Sequence, residues 1–179
     1  MKLGSHIAIA VLLFSATTAA AGQAEYELCL GESANVIIRM ANCDLAIRIG
    51  GLSDDQMIVA LFNRGQTLLQ DNQPGRALED FDAILKLKPD DSEALYTRAI
   101  ARRQLKQYPA AIADFDRLIA MGYQPLAKTY LQRSMAHYQA GNKEKTLADL
   151  HEANKLAPKD LEISDRLWKT EHTYKLQGQ

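Results

Sequence analysis

Outside the N-terminal segment, the side chains best suited to covalent or metal chemistry are Cys29, Cys43, His137, His151 and His172. No histidine has a second His or Cys at the close spacing of a metal motif. The two cysteines lie 14 residues apart, whereas a redox-active pair usually has the spacing CxxC. The chain has no GxSxG motif, no Gly-rich phosphate loop and no Cys–His pair of meaningful spacing. The sequence therefore predicts no enzymatic activity, no metal site and no cofactor.

Charged residues recur with a regular spacing. The recurring residues are the arginines Arg64, Arg98 and Arg133 and the aspartates Asp80, Asp114 and Asp149. One interpretation is a row of cations for an acidic ligand. The other is structural, because each aspartate follows its arginine by 16 residues and a bidentate pair could join two neighbouring helices. Equal numbers and equal spacing favour the structural interpretation, in which these residues do not contact a partner.

The first 24 residues have the layout of a secretory signal peptide. Lys2 precedes an apolar run over residues 7–14, and the alanines at 19–21 supply the small residues that signal peptidase accepts. The apolar run is too short for a transmembrane anchor, which needs about 20 residues. We therefore expect residues 1–21 to be removed, with a cut after Ala24 as the alternative. The exported protein would be periplasmic, or else secreted, without stable membrane insertion.

Export would place the two cysteines in an oxidising compartment. An even number of cysteines there favours a disulfide between Cys29 and Cys43. The loop that it closes would contribute about 3 kcal/mol in the chain-entropy model. Two buried free thiols remain the alternative.

The composition is that of an ordinary globular protein. The chain has 179 residues, of which 47% are hydrophobic and 24% are charged, which excludes collagen, low-complexity disorder and a disulfide-dense scaffold. Its 21 basic and 22 acidic residues give a formal net charge of −1. We therefore expect no nucleic-acid binding and no general attraction to anionic lipid.

The chain contains an internal repeat. The arginines at 64, 98 and 133 are separated by 34 and then 35 residues, and each repeat has two helical apolar patterns joined by a polar turn such as residues 71–75. Small residues such as Gly65 and Ala77 would let the two helices pack closely. One hairpin cannot bury its own apolar face, so the hairpins are expected to stack into a solenoid.

The repeat resembles the tetratricopeptide repeat (TPR) family over residues 58–158. The residues at the family's signature positions are Gly65, Ala77, Phe81 and Pro89 in the first unit and Ala99, Ala111 and Phe115 in the second. The third unit is more divergent, since Thr146 and Leu150 replace a small and an aromatic residue. The resemblance implies an all-α fold, an α-solenoid of stacked helix-turn-helix TPR hairpins with N- and C-terminal capping helices.

The predicted organisation follows from this repeat. After the signal peptide (1–21) come an N-terminal cap with a degenerate half repeat (22–57), TPR 1 (58–91), TPR 2 (92–125), TPR 3 (126–159), and a C-terminal capping helix and tail (160–179). Regular stacking of the third repeat on the second is left open. Trp168 is expected to pack on the last repeat, and the disulfide to cross-link the N-terminal cap.

The family resemblance also implies a concave groove lined by the first helix of each hairpin. The residues spaced three and four apart on that face are Phe62, Gln66, Leu69, Tyr96, Ile100, Arg103, Lys128, Leu131, Met135 and Tyr138. Aromatic side chains and Met suit an adaptable peptide site, with Arg103 and Lys128 as rim charges. The alternative is that some of these residues pack against the capping helices.

One TPR subclass binds the terminal carboxylate of a chaperone through a clamp of Lys, Asn, Asn, Lys and Arg. The matching positions here hold Phe62, Gln66, Thr97, Lys128 and Gln132, so only Lys128 agrees and the clamp function is not expected. The sequence predicts a non-enzymatic TPR scaffold or adaptor that binds a partner protein of unknown identity, as an extended peptide or a helix, in the bacterial periplasm. The alternative is a self-associating structural protein of the cell envelope.

Overall fold

The computed structural model describes residues 20–31 and 36–177, and all regular secondary structure in these residues is helical. Helix α1 covers residues 20–30. The other helices are α2 (Val36–Ile49), α3 (Asp54–Gln70), α4 (Pro74–Leu87), α5 (Ser92–Gln104), α6 (Tyr108–Ala120), α7 (Leu126–Gln139), α8 (Lys143–Leu156) and α9 (Leu161–Gln177). The predicted signal peptide lies outside the described residues, except for its last two positions, which belong to α1. Within the described ranges, no helix is both long enough and apolar enough to cross a membrane.

Consecutive helices pack on each other within two compact units, which divide between Pro89 and Asp90. In the first unit, α2 packs on α3 and α3 packs on α4. In the second unit, α5 packs on α6, α6 on α7, α7 on α8 and α8 on α9. The all-α arrangement of helix-turn-helix hairpins is therefore confirmed. The contact between α6 and α7 also shows that the third hairpin stacks on the second.

Helix α3 begins at Asp54, four residues before the predicted start of the first repeat. The reason is a capping box at its N-terminus. The hydroxyl of Ser53 accepts a hydrogen bond from the backbone N–H of Gln56 (3.3 Å), and the side chain of Gln56 accepts one from the N–H of Ser53 (3.0 Å). These two bonds satisfy N–H groups that the first helical turn leaves without partners, so the helix starts here.

The turns inside the three hairpins share one backbone conformation. The residue after each first helix's C-cap has a positive φ, namely 56° at Asn72, 61° at Lys106 and 79° at Gly141. The next residue then donates its N–H to the carbonyl five residues earlier, over 2.7 to 2.9 Å. This bond pattern closes a helix and reverses the chain in few residues. The same turn therefore brings each second helix back along its first.

A disulfide lies in the core of the first unit. It joins Cys29 of α1 to Cys43 of α2, with an S–S distance of 2.07 Å. Both residues are fully buried and cluster with Tyr26, Ala46 and Ala60. The cross-link therefore attaches α1 to α2, and Ala60 continues the same core onto α3.

Gly65 of α3 lies where the ring of Phe81 from α4 packs closest. A Cβ atom added at Gly65 would lie 2.8 Å from Cζ of Phe81 and 3.4 Å from Cβ of Asp80. Phe81 is fully buried and also meets the ring of Phe62 edge-on, with 6.0 Å between ring centroids. The ring has no open space to move into, so the hairpin requires a residue without a side chain at position 65.

The substitution Gly65→Ala should lower the free energy of unfolding by about 1 to 3 kcal/mol, because the added methyl group overpacks a close-packed core. Gly75→Ala on α4 is the matched control, since a Cβ there meets nothing within 4 Å and alanine favours the helix. Urea unfolding followed by circular dichroism measures both variants. Equal midpoints would show that the contact with Phe81 does not restrict position 65.

Candidate functional site

Each arginine of the repeated column forms a bidentate bond with the aspartate 16 residues later. The pairs are Arg64 with Asp80, Arg98 with Asp114, and Arg133 with Asp149. In each pair Nε donates to Oδ2 and Nη2 donates to Oδ1, over 2.6 to 3.0 Å. All three guanidinium groups are therefore held by carboxylates of their own hairpins. This geometry supports the structural interpretation of the column rather than a row of cations for an acidic ligand.

Two of these arginines also bind an aspartate of the preceding helix. Nη1 of Arg64 donates to Asp44 of α2 over 2.7 Å, and Nη1 of Arg133 donates to Asp116 of α6 over 2.5 Å. The carboxylate partners of Arg133, Asp149 foremost, hold the pKa of this guanidinium group above the ordinary value for arginine. Each of these two side chains thus couples three helices, and this coupling positions the faces on which a site can form.

The substitution Asp149→Ala should lower the free energy of unfolding by about 3 kcal/mol, because it removes the main partner of a largely buried guanidinium group. Asp90→Ala is the matched control. Asp90 also pairs with an arginine, Arg117, at 2.5 Å, but its side chain is 76% exposed, and such a surface pair contributes about 0 to 1 kcal/mol. Thermal unfolding of the two variants compares the effects. A similar loss of unfolding free energy in both variants would show that the buried pair of Asp149 and Arg133 contributes no more to stability than an exposed pair does.

In the second unit, α7 and α9 border an open cleft of about 420 Å³. Helix α7 contributes Met135, Tyr138 and Gln139, and α9 contributes Glu162, Asp165, Arg166, Lys169, Thr170 and Thr173. Met135 and Tyr138 are thus the predicted groove residues that line this cleft. The side chain of Tyr138 is 52% exposed, and one face of its ring stacks on Tyr174 at 6.3 Å between centroids. The cleft therefore offers aromatic and thioether surface beside charged and polar groups.

Arg103 of α5, predicted as a rim charge, reaches the same helix α7. Its Nη1 donates to Oε1 of Gln139 over 3.4 Å, and its Nη2 donates to Oε1 of Gln132 over 3.3 Å. Burial, and then the nearby charge of Arg166, lower the pKa of Arg103, although a guanidinium group still stays protonated near neutral pH. The charge of Arg103 therefore faces two neutral amides instead of a carboxylate.

Lys128, the other predicted rim charge, is engaged within the second unit. Its Nζ lies 3.0 Å from a carboxylate oxygen of Asp160 and 3.0 Å from one of Glu162. The bonds to these two carboxylates raise the pKa of Lys128, and the bond from Lys128 lowers the pKa of Asp160. A partner would therefore meet a lysine that is already neutralised by acidic groups.

Tyr96 and Ile100 of α5 are both half-buried. The ring of Tyr96 lies edge-on to Phe115, with 6.0 Å between centroids, and 5.8 Å from the ring of Tyr123. Burial raises the pKa of Tyr96. Tyr96 is therefore held within the packing of the hairpin and presents only part of its surface.

The prediction that Leu131 lines the groove is wrong. Leu131 is fully buried and belongs to a core cluster with Ala127, Leu150, Ala153 and Ile163. The physical reason is α9, because Ile163 of that helix packs into the same cluster as α7 and α8. This outcome matches the alternative that part of the stripe packs against the C-terminal helix.

The predicted groove residues of the first unit have mixed environments. Phe62 and Leu69 are half-buried, and Phe62 packs on Phe81 as described above. Gln66 is exposed and borders a smaller cleft of about 200 Å³, where Arg39 donates hydrogen bonds to neighbouring polar side chains of α3. Gln66 is thus the most accessible of the three.

Sequence reasoning missed the contribution of α9, because this helix was predicted as a cap. Its cleft residues Glu162, Arg166, Lys169 and Thr173 follow the same spacing of three and four that was used to select residues on α5 and α7. That spacing is the signal that could have found them. The cleft is therefore built by α7 and the C-terminal helix, with Thr146 and Leu150 of α8 completing its lining.

The prediction that Trp168 packs on the last repeat is also wrong. Trp168 is 58% exposed, and its ring lies 4.0 Å from that of His172 on the same helix. Helix α9 turns Ile163 and Thr170 inward instead.

As for metals, no group of three His, Cys, Asp or Glu side chains in residues 20–31 and 36–177 is arranged to hold an ion.

Hairpins that repeat every 34 or 35 residues, each closed by the same turn and the same Arg–Asp bond, define a helical-hairpin repeat protein. A sequence model described as tetratricopeptide repeat matches residues 62–124. This match supports the resemblance of that part of the chain to the tetratricopeptide repeat family.

Known proteins share this fold. Human sperm-associated antigen 1 is 25% identical over 132 residues, which are 74% of this chain and 14% of that protein. MamA (41-end) from Desulfovibrio magneticus RS-1 superposes with a TM-score of 0.74 at 20% identity, over 88% of this chain and 86% of MamA. The first TPR of Spaghetti (RPAP3), solved with the HSP90 peptide SRMEEVD, superposes with a TM-score of 0.62 at 21% identity, over 70% of this chain and 99% of its own. These structures share the α-solenoid fold class with this chain, which spans only a small part of its human relative.

Proposed function

We propose that this chain is a non-enzymatic TPR adaptor that binds an extended peptide or a helix of a partner protein. The cleft between α7 and α9 carries this proposal, because Tyr138 and Met135 offer apolar surface there. Charged and polar side chains next to them can form hydrogen bonds with the backbone of a bound peptide. An aromatic ring contributes a large contact area at small entropy cost, and Met adapts its shape to its partner. The peptide bound to the first TPR of Spaghetti supports a peptide as the class of ligand.

We place this activity in the bacterial periplasm, with secretion as the alternative. Two features support the location. Residues 1–24 have the layout of a signal peptide, and the buried Cys29–Cys43 disulfide is of a kind that forms in oxidising compartments.

The substitution Tyr138→Ala should weaken peptide binding about tenfold, which corresponds to about 1.4 kcal/mol, because it removes an exposed ring from the cleft. Peptides selected against the protein from a random display library serve as the probe, and fluorescence anisotropy gives Kd. The unfolding temperature should change little, since about half of the residue's surface is exposed to water, 52%.

Trp168→Ala is the matched control for this measurement. Trp168 is an aromatic residue of similar exposure but does not line the cleft, so its removal should leave Kd unchanged. If Tyr138→Ala binds the selected peptides as tightly as Trp168→Ala does, the cleft is not the binding site.

A second candidate function is self-association, and the outer face of α9 favours it. Leu161, Trp168 and Leu176 lie near one side of this helix and are 82%, 58% and 73% exposed. Sedimentation equilibrium over a wide range of protein concentration tests the idea. Self-association through this face predicts a mass that rises with concentration and a monomer in the Trp168→Ala variant. A concentration-independent monomer of the unaltered protein would exclude it.

A further inference from the structure

Two arginines of the second unit have buried nitrogens without a partner. The Nε atoms of Arg103 and Arg166 are both buried, and neither makes a hydrogen bond to any residue that the structure describes. Arg166 lines the cleft between α7 and α9, and Arg103 holds Gln139, which lines the same cleft. Arg166 therefore lies at the cleft, and Arg103 is hydrogen-bonded to a residue that lines it.

Neither arginine is paired with a carboxylate in residues 20–31 and 36–177. The acidic groups of the cleft are taken by lysines, since Asp165 lies 2.7 Å from Nζ of Lys169 and Glu162 lies 3.0 Å from Nζ of Lys128. Among the residues that the structure describes, Arg103 has only the two amide oxygens described above as hydrogen-bond partners, at 3.3 and 3.4 Å. The positive charges of Arg103 and Arg166 are thus left without an anion at the cleft.

This arrangement differs from that of the structural arginines. Arg64, Arg98 and Arg133 are similarly shielded from water, and each holds an aspartate at 2.6 or 2.7 Å. Arg103 holds no aspartate; burial, and then repulsion by the charge of Arg166, lower its pKa. A carboxylate placed between two guanidinium groups would replace this repulsion by charge-assisted hydrogen bonds, which planar guanidinium groups form with high geometric selectivity.

We propose that Arg103 and Arg166 together bind a carboxylate of an acidic peptide segment in the partner, an Asp or Glu side chain or a chain terminus. The inference rests on the proposed function and names the chemistry of its ligand. It uses residues other than those of the chaperone-binding clamp, of which only Lys128 is present. Met135 and Tyr138 lie in the same cleft, so the recognised segment carries an apolar side chain beside its acidic residue.

The test uses the full chain, with a penta-glutamate peptide, a penta-glutamine peptide and inorganic phosphate as probes. The Nε–Hε signals of the arginines in a ¹H–¹⁵N spectrum report binding, and the substitutions Arg103→Gln and Arg166→Gln assign them. We expect penta-glutamate to shift both signals and penta-glutamine to shift neither. Each substitution should raise the Kd for penta-glutamate at least tenfold. Arg76→Gln, which removes an exposed arginine of α4, should leave Kd unchanged.

Three results would overturn the proposal: equal shifts with penta-glutamine, an equal loss of affinity in Arg76→Gln, or a Kd for inorganic phosphate as low as that for penta-glutamate. Misfolding does not obscure the outcome. Because Arg166→Gln removes a repulsion and no hydrogen bond within the described residues, its unfolding temperature should be unchanged or higher. A marked fall would show that Arg166 has a structural role and would count against the proposal.

The library-selected peptides separate this inference from the function on which it rests. If Tyr138→Ala weakens their binding while Arg103→Gln and Arg166→Gln do not, the carboxylate site is wrong and the peptide-binding cleft stands. If none of the three substitutions weakens binding, both proposals fail. Loss of affinity in all three variants, with acidic residues common among the selected peptides, supports both.

Discussion

The bidentate Arg–Asp bond between the two helices of each hairpin is the constraint on which the rest of the structure depends. Its two side chains are 16 residues apart, so they meet only if the turn returns the second helix along the first. Two planar groups joined by parallel hydrogen bonds tolerate little sliding, so the bond favours one register over its neighbours. At Arg64 and Arg133 a further nitrogen reaches the preceding helix, which extends this register from one pair of helices to a third helix.

The same constraint separates the arginines of this protein by role. The arginines of the repeated column lie between helices, where burial without a carboxylate would be costly, and each has one. Arg103 and Arg166 lie at a cleft, where the second unit supplies neutral amides and acidic groups already held by lysines. The two groups of arginines therefore differ in whether a carboxylate balances their charge. This difference distinguishes the cleft from the rest of a chain whose net charge is near zero.

Features that repeat along the chain could be predicted from the sequence, and features that depend on α9 could not. The hairpins, the Arg–Asp pairs and the close packing at Gly65 follow from spacings that occur three times, so each occurrence supports the others. Leu131 becomes buried because Ile163 of α9 packs over it, and Lys128 is neutralised by two acids that flank the start of α9. That helix has no second copy in the sequence, so the repeat period of 34 or 35 residues does not indicate which of its faces turns inward.

The disulfide between α1 and α2 gives these helices a resistance to local opening that α9 lacks. In a repeat protein each helix pair is stabilised mainly by its neighbours, so opening starts at the ends. A cross-link reduces the entropy that α1 and α2 gain when they separate, while α9 packs on α8 without a disulfide in the residues that the structure describes. Amide hydrogen exchange is therefore expected to be faster in α9 than in the cross-linked helices α1 and α2, and a partner seated against α9 would slow it there.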